Sequence, residues 1–430
     1  MERNECRPSM GPDHDILRFL VALLVLAAPA MMLIVPGAST PLLGLIVLAG
    51  IFVLARCWTG FRKDWLDTPL LPLFTLLLLA HASVAAASHL LVDSSVFAGN
   101  RFGRQLILLS IPVVFAALWW ARPSLKAVGA GVAINAVVLG IHTILAFASG
   151  RHRGDGVVHM VLLGNASLLL GFASLALVFL KPAWPWRVLG LIGLAFGLTG
   201  SLLSQSRGGW IAIPLLLAAS FIALWRSYRP SALGWVAMIL ALTAGASMLS
   251  QTTVVDQRIT VAERDLQRLL EDDFKGSIGR RVLMWRIAVE TGLQAPLFGQ
   301  GFGAYQREVD ARLQRGETPP FMSRYRTEPH SDYLQVFATR GLLGLTVFAA
   351  LLLIPLAYLL GLLVRGKGSE IFAAHIGLSL ILVVAIGGLS ITMIDQRPMI
   401  RFLVVITALV LYALWFTQAS DPAQPADKKP

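Results

Sequence analysis

Long apolar runs alternate with short polar turns along most of the chain. Each run holds about 20 residues, which is the length an α-helix needs to cross the hydrocarbon core of a bilayer. The pattern therefore predicts an all-α integral membrane protein with about twelve spans. We expect these spans at 16–35, 40–56, 69–91, 104–121, 124–149, 159–180, 186–205, 208–226, 231–250, 333–364, 370–392 and 398–418.

One long polar segment, residues 251–332, interrupts this pattern between the ninth and tenth spans. Helical spacing of its apolar residues predicts helices at 254–270 and 277–293, and a shorter charged helix at 304–315. A glycine-rich turn at 299–303 separates the last two helices. The expected domains are spans 1–9 (1–250), a helical loop domain (251–332), spans 10–12 (333–418) and a polar tail (419–430).

Composition and charge placement support this topology. Hydrophobic residues make up 56% of the chain and charged residues 14%, against about 25% charged residues in soluble domains. A net charge of +12 would suggest nucleic acid in a soluble protein. Here the basic residues concentrate in alternate turns, as expected if both termini and those turns are cytoplasmic. We therefore expect a multi-pass protein of the bacterial inner membrane, with a periplasmic loop domain and no nucleic-acid partner.

The first apolar run contains Ala28-Pro29-Ala30, which resembles a weak signal-peptidase site. The run continues through this tripeptide and is too long for a typical signal sequence, so we expect an uncleaved first helix. Cys6 and Cys57 both fall on the predicted cytoplasmic side, where thiols stay reduced. No disulfide is expected.

His330 follows Pro329 at the point where the loop domain leads into the tenth span. A histidine at the membrane surface can act as a general base towards a sugar hydroxyl. The N-terminus of the following helix favours the neutral imidazole, whereas Glu328 and Asp332 favour the charged form. The sequence leaves the net direction open. An interfacial histidine that hydrogen-bonds a headgroup or a carbonyl is the equally weighted alternative.

Two sets of arginines are candidates for binding an anionic substrate. Arg207 lies in the tight turn 206–209, where a planar guanidinium matches phosphate geometry and glycines would let a ligand approach the backbone. An arginine that extends to lipid phosphate is the alternative. Arg280 and Arg281 begin the second loop helix, and helix N-termini attract anions. A solvated helix face is the alternative for this pair.

Arg101, Arg104 and Asp395 are further candidates for substrate binding, because they fall on the same predicted face. The remaining histidines lack metal-ligand spacing, so neither a metal nor a cofactor is expected. Arginines can neutralise a departing diphosphate as a divalent cation does elsewhere. Because the periplasm lacks nucleotide sugars, an activated sugar donor there must be lipid-linked.

Several short motifs follow one another between about 200 and 350. They are Ser206-Arg207-Gly208, Gly279-Arg280 with Trp285, Pro296-Leu297-Phe298-Gly299-Gln300-Gly301-Phe302-Gly303, Pro329-His330-Ser331-Asp332-Tyr333-Leu334-Gln335 and Gly341-Leu342-Leu343-Gly344. In this order they resemble the O-antigen ligase/polymerase superfamily, except that Gln300 stands where Val is usual and Ser331 where Asn is common.

The resemblance implies a C-type membrane glycosyltransferase fold and the reaction of an O-antigen ligase. That reaction transfers O-antigen from undecaprenyl diphosphate to a sugar hydroxyl of lipid A-core, with inversion and without a metal. The partners would be these two lipid substrates and the surrounding membrane lipids. On this resemblance His330 activates the acceptor hydroxyl, and Arg207 and Arg280 hold the donor diphosphate.

Other functions remain open at this stage. An O-antigen polymerase would perform the same chemistry on a different acceptor, and a protein O-oligosaccharyltransferase would often carry an extra C-terminal domain. A transporter of anions or lipids would bind substrate through arginines without reacting, and it predicts an inverted repeat with broken helices at mid-membrane. Structural scaffolding gives no reason for an arginine in a tight membrane turn.

Overall fold

The computed structural model describes residues 12–150, 158–204, 207–229, 264, 267–268, 270–271 and 274–419. Within these ranges the chain forms helices and turns and no strand. Eleven of the described helical segments are long and apolar enough to cross a membrane. The chain is thus an all-α, multi-pass membrane protein, as the hydrophobic pattern predicts. The predicted ninth span (231–250) and most of the predicted helix 254–270 lie outside the described residues.

The helices before the loop domain follow the predicted order of spans, and several spans consist of two shorter helical pieces. They are α1 (Pro12–Ile34), α2 (Ser39–Asp67), α3 (Leu70–Ala87), α4 (Val96–Leu106), α5 (Ile111–Ala121), α6 (Leu125–Ala148), α7 (Met160–Ser174), α8 (Ala176–Phe179), α9 (Trp184–Leu203), α10 (Arg207–Trp210) and α11 (Ile213–Tyr228).

From residue 274 onwards, where the structure describes it continuously, the loop domain contributes two α-helices and a 3₁₀ turn, and three long helices follow. They are α12 (Ser277–Leu293), α13 (Ala304–Gln314), the 3₁₀ turn Pro320–Tyr325, α14 (Asp332–Arg365), α15 (Ser369–Gly387) and α16 (Arg397–Ala419). The eleventh predicted span ends at Gly387 rather than at residue 392. A loop at 388–396, here called the α15–α16 loop, therefore connects the last two helices.

Proline at position 29 does not end the first helix. Asn135 of α6 accepts a hydrogen bond from the Ala30 N–H (2.7 Å) and donates one to the Leu26 carbonyl (2.7 Å). These contacts satisfy backbone groups next to the proline, which cannot itself donate inside a helix. The predicted first span is therefore a continuous helix that packs into the bundle.

Residues that the charge pattern assigns to one side of the membrane contact one another in the fold. Trp119 donates to the carboxylate of Asp64 at one end of the bundle (2.8 Å), and Arg401 donates to Ser39 at the other end (2.9 Å). The alternation of the predicted turns agrees with these contacts. Which end faces the cytoplasm stays a prediction.

Three helices, α7, α15 and α16, form the centre of the bundle. About four fifths of each is buried, whereas the other described spans are less than half buried. The α15–α16 loop leaves this centre at the end of the bundle that carries the loop domain. The α15–α16 loop is therefore anchored in the buried centre and can position side chains at that end of the bundle.

The loop domain is attached to a kink in α14. Gly341 has φ +63°, and a Cβ at this position would collide with the backbone at Leu297. The neighbouring N–H groups of Gln300 and Gly301 donate to carbonyls of α14 (both 3.0 Å), and the Leu342 N–H donates to the Pro296 carbonyl (2.7 Å). The glycine-rich segment therefore binds the broken helix directly, in addition to making a turn.

Candidate functional site

His330 has a strained backbone just outside α14. Its φ is +52°, which is uncommon for a residue other than glycine and costs free energy unless the surroundings hold it. Ser331 is the N-cap of α14, and its side chain accepts from the Leu334 N–H (3.5 Å). The sequence placed His330 in or near the first turn of this helix. The structure places it one residue before the cap.

Glu328, which is held by Gln396, faces one edge of the His330 ring. The Nδ1 atom of His330 lies 3.5 Å from Glu328 Oε1, and the side chains are 30% and 12% exposed. The Gln396 side chain donates to both carboxylate oxygens of Glu328, at 3.0 and 3.1 Å. Because Nδ1 is buried on the Glu328 side, Nε2 is the ring nitrogen that remains available to a substrate.

The Asp332 carboxylate points away from His330. It is fully buried and accepts from the N–H groups of Met393 (3.1 Å) and Ile394 (3.3 Å), while the Asp332 N–H donates to the Gly388 carbonyl (2.8 Å). The sequence analysis expected both Glu328 and Asp332 to favour the charged imidazole, in opposition to the helix N-terminus. Of these two acids, only Glu328 faces the ring. Asp332 instead fixes the start of α14 to the α15–α16 loop.

Asp395 joins the same loop to α4. It forms ion pairs with Arg101 (2.7 Å) and Arg104 (3.3 Å), and Arg101 also donates to the carbonyl of Thr327. Arg101 and Asp395 are almost completely buried. These three charged groups already hold in place the segment that precedes His330. They would have to break these contacts in order to bind substrate. Their substrate-binding role stays a prediction.

Asp93, which follows α3, pairs with Arg307 of the loop domain. Its carboxylate also accepts from the N–H groups of Gly303 (2.9 Å) and Ser95 (3.2 Å). Desolvation raises the pKa of Asp93, but these hydrogen bonds outweigh it and lower the pKa to about 2. Asp93 is therefore an ionised anchor for the loop domain.

The turn that contains Arg207 packs against the α15–α16 loop and α7. A Cβ on Gly208 would overlap Ser390, and one on Gly209 would overlap Asn165. Protein side chains thus fill the space beside both glycines on the side where a Cβ would lie. The approach of a ligand to the backbone of this turn stays a prediction. The backbone of Arg207 begins α10 beside the loop that anchors His330. Its side chain lies outside what the structure describes.

The Tyr325 ring contacts both Arg280 and His330 and so links the two residues. The Arg280 guanidinium carbon is 5.7 Å from the centroid of the Tyr325 ring, and the edge of that ring meets His330 with centroids 5.9 Å apart at 88°. Desolvation and the neighbouring charge of Arg280 both lower the pKa of Arg281. Sequence reasoning missed Tyr325, because the motif around His330 begins only at Pro329.

His159 is a second residue that sequence reasoning missed, since the histidines were compared only for metal-ligand spacing. It is the N-cap of α7, and its Nδ1 accepts from the Val161 N–H (3.3 Å). Desolvation lowers the pKa of His159, the nearby charge of His330 lowers it further, and Glu328 acts in the opposite direction. His159 thus belongs to the electrostatic surroundings of His330.

Two comparisons relate this chain to known proteins. The chain is 26% identical over 222 residues to an uncharacterized protein of Haemophilus influenzae, a match that covers 49% of this chain and 54% of the relative. The chain thus spans about half the length of this curated relative. Residues 192–349 match the family model described as O-antigen ligase, and this region includes Arg207, Arg280 and His330. Over residues 192–349 the chain is therefore similar to the O-antigen ligase family.

Proposed function

We propose that this protein is an O-antigen ligase, which transfers O-antigen from undecaprenyl diphosphate to a sugar hydroxyl of lipid A-core. The observation that supports it most is the arrangement at His330, whose Nδ1 faces Glu328 at 3.5 Å in a side chain that is 30% exposed, which leaves Nε2 for the substrate. The reaction would occur at the periplasmic face of the inner membrane, without a metal. The match of residues 192–349 to the O-antigen ligase family model supports the coarser statement, a membrane enzyme that resembles glycosyltransferases.

In this mechanism the neutral His330 accepts the proton of the acceptor hydroxyl at Nε2. The hydroxyl oxygen then attacks the anomeric carbon of the donor sugar from the face opposite the diphosphate, so the configuration inverts. A new C–O bond forms, and the bond between the sugar and the diphosphate oxygen breaks with both electrons on that oxygen. Glu328 stabilises the imidazolium that results, and the proton later leaves to water.

Guanidinium groups would neutralise the charge that develops on the leaving diphosphate. Arg280 suits this role, because its contact in the described structure is the Tyr325 ring and no carboxylate of the described residues pairs with it. We assign the same role to Arg207, whose backbone lies next to the α15–α16 loop. Planar guanidiniums bind two phosphate oxygens at once, which suits a diphosphate.

The experiment that tests this proposal uses purified protein in proteoliposomes that contain undecaprenyl-diphosphate-linked glycan and lipid A-core, with a chelator. A shift of the lipid A-core band on a gel supports the ligase, and the His330→Ala variant at equal abundance should show no shift while still binding the donor. Lengthening of the lipid-linked glycan alone would identify a polymerase. If neither lipid changes, or if His330→Ala retains full transfer, the proposed mechanism is wrong.

A further inference from the structure

We infer that His159 is a second substrate-binding histidine, whose Nε2–H donates a hydrogen bond to a diphosphate oxygen of the lipid-linked donor. This inference rests on the proposed function and adds a residue that the motifs around His330 do not include. It follows from where α7 lies, from the tautomer of the ring and from the chemistry of the two substrates.

The turn at residues 387–390, where α15 ends, brings three elements together. Asn165 of α7 lies against both Gly209 of α10 and Gly387, and the Asp332 N–H at the start of α14 donates to the Gly388 carbonyl. Residue 159 is six positions before Asn165, or about 9 Å further out along the helix direction. His159 therefore lies beyond this turn at the same end of the bundle as the backbone of Arg207 and His330, close enough for the charge of His330 to act on it.

The hydrogen bond at Nδ1 fixes which nitrogen of His159 carries the proton. Because Nδ1 accepts from the Val161 N–H (3.3 Å), the neutral imidazole has its hydrogen on Nε2. The side chain is exposed, so this N–H can reach a ligand. The lowered pKa of His159 favours the neutral ring, whose single N–H is then the one on Nε2.

A fixed N–H donor distinguishes between the two substrates. The acceptor hydroxyl has to give up a proton, and His330 already offers the lone pair that takes it. Phosphate oxygens only accept hydrogen bonds, and the proposed diphosphate ligand Arg207 begins the neighbouring α10. The Nε2–H of His159 therefore suits the donor diphosphate and not the reacting hydroxyl.

Two substitutions separate this role from the capping role of the residue. His159→Asn keeps an oxygen that can cap α7, since asparagine is a good N-cap, but it removes the Nε2–H group. His159→Gln places an amide N–H near the position of Nε2. His14→Ala is the matched control, because this exposed histidine precedes Arg18, which contacts Trp120 at the opposite end of the bundle.

Steady-state transfer is measured at varied undecaprenyl-diphosphate-linked glycan, and thermal unfolding checks that each variant is folded. We expect His159→Asn to raise the donor KM about tenfold with kcat nearly unchanged, as for the loss of one hydrogen bond to a charged group. His159→Gln should stay within about threefold of wild type, and His14→Ala should match wild type. A wild-type donor KM in His159→Asn, or equal losses in the Asn and Gln variants, would overturn the inference.

Two further measurements distinguish a diphosphate ligand from a lipid headgroup and from a failure of the proposed function. If His159→Asn changes the dependence of activity on anionic phospholipid content but not the donor KM, the residue binds a headgroup and the inference is wrong. If wild-type protein transfers no glycan, the proposed function fails first. Binding of undecaprenyl diphosphate to the protein in nanodiscs is then measured. Binding by His159→Asn that is about tenfold weaker than wild type, the same loss as expected for the donor KM, supports the inference. Equal binding by the two proteins refutes it.

Discussion

The guanidinium of Arg101 lies 2.7 Å from the carboxylate of Asp395, and the two side chains are only 5% and 6% exposed. Arg101 also donates to the carbonyl of Thr327, one residue before Glu328. The loop that carries Asp395 continues into Gln396, which binds Glu328. This buried pair thus holds the chain next to both Glu328 and Gln396, the two residues whose contact orients His330.

Breaking this pair should destabilise the protein strongly. Asp395→Asn leaves the buried charge of Arg101 without its closest counter-ion, and such changes cost about 3–5 kcal/mol. We expect a large drop in the free energy of unfolding in detergent, with loss of transfer at the same time. The double variant Arg101→Gln/Asp395→Asn should lose less than the sum of the two single variants, because their effects are coupled. Additive losses would contradict a coupled pair.

Glu328→Gln tests the charge that faces His330. The amide oxygen of the new side chain can still accept from Gln396, so the local packing is kept while the negative charge is removed. We expect kcat to fall by about tenfold or more with little change in acceptor KM, because the imidazolium that forms during transfer loses its stabilising charge. Glu317→Gln is the matched control, since Glu317 pairs with Arg315 at an exposed position of the loop domain. Equal effects of the two variants would argue against a role for the Glu328 charge.

Tyr325 should act through its ring rather than through its hydroxyl. Tyr325→Phe keeps the contacts with Arg280 and His330, so transfer close to the wild-type rate is expected. Tyr325→Ala removes a cation–π contact worth about 0.5–1 kcal/mol and should raise the donor KM by roughly two- to fivefold. Kinetics of both variants at varied donor concentration measure this difference. If Tyr325→Phe is as defective as Tyr325→Ala, the hydroxyl matters and the ring assignment is wrong.

The pair of Asp93 and Arg307 should make the attachment of the loop domain acid-sensitive. The folded pKa of Asp93, about 2, lies below its ordinary value of 3.8, so its ionised form stabilises the fold above about pH 4. This contribution, about 1–2 kcal/mol because Arg307 is half exposed, is lost as the pH falls from about 4 towards about 2. Thermal unfolding of wild type and Asp93→Asn should differ at about pH 7 and converge near about pH 2. A constant difference would exclude this linkage.

The sequence by itself determined the membrane helices and much of the loop domain. Runs of about 20 apolar residues specify a span without reference to the rest of the chain, because lipid requires every backbone hydrogen bond to be made within the helix. The loop helix predicted at 277–293 has those bounds in the structure, since its ends depend on nearby glycine, glutamine and proline. In the same way, local motifs in a characteristic order identified His330 and Arg280 as candidate site residues.

Only the tertiary structure decided how the candidate site is arranged. The sequence could not tell that Glu328 faces His330 while Asp332 turns away, because both orientations depend on the α15–α16 loop, more than 60 residues further along the chain. Nor could it place the Tyr325 ring against His330, or His159 within reach of the charge of His330. These contacts arise where separate helices meet, and the period of a helix specifies which face is apolar but not which distant side chains meet there.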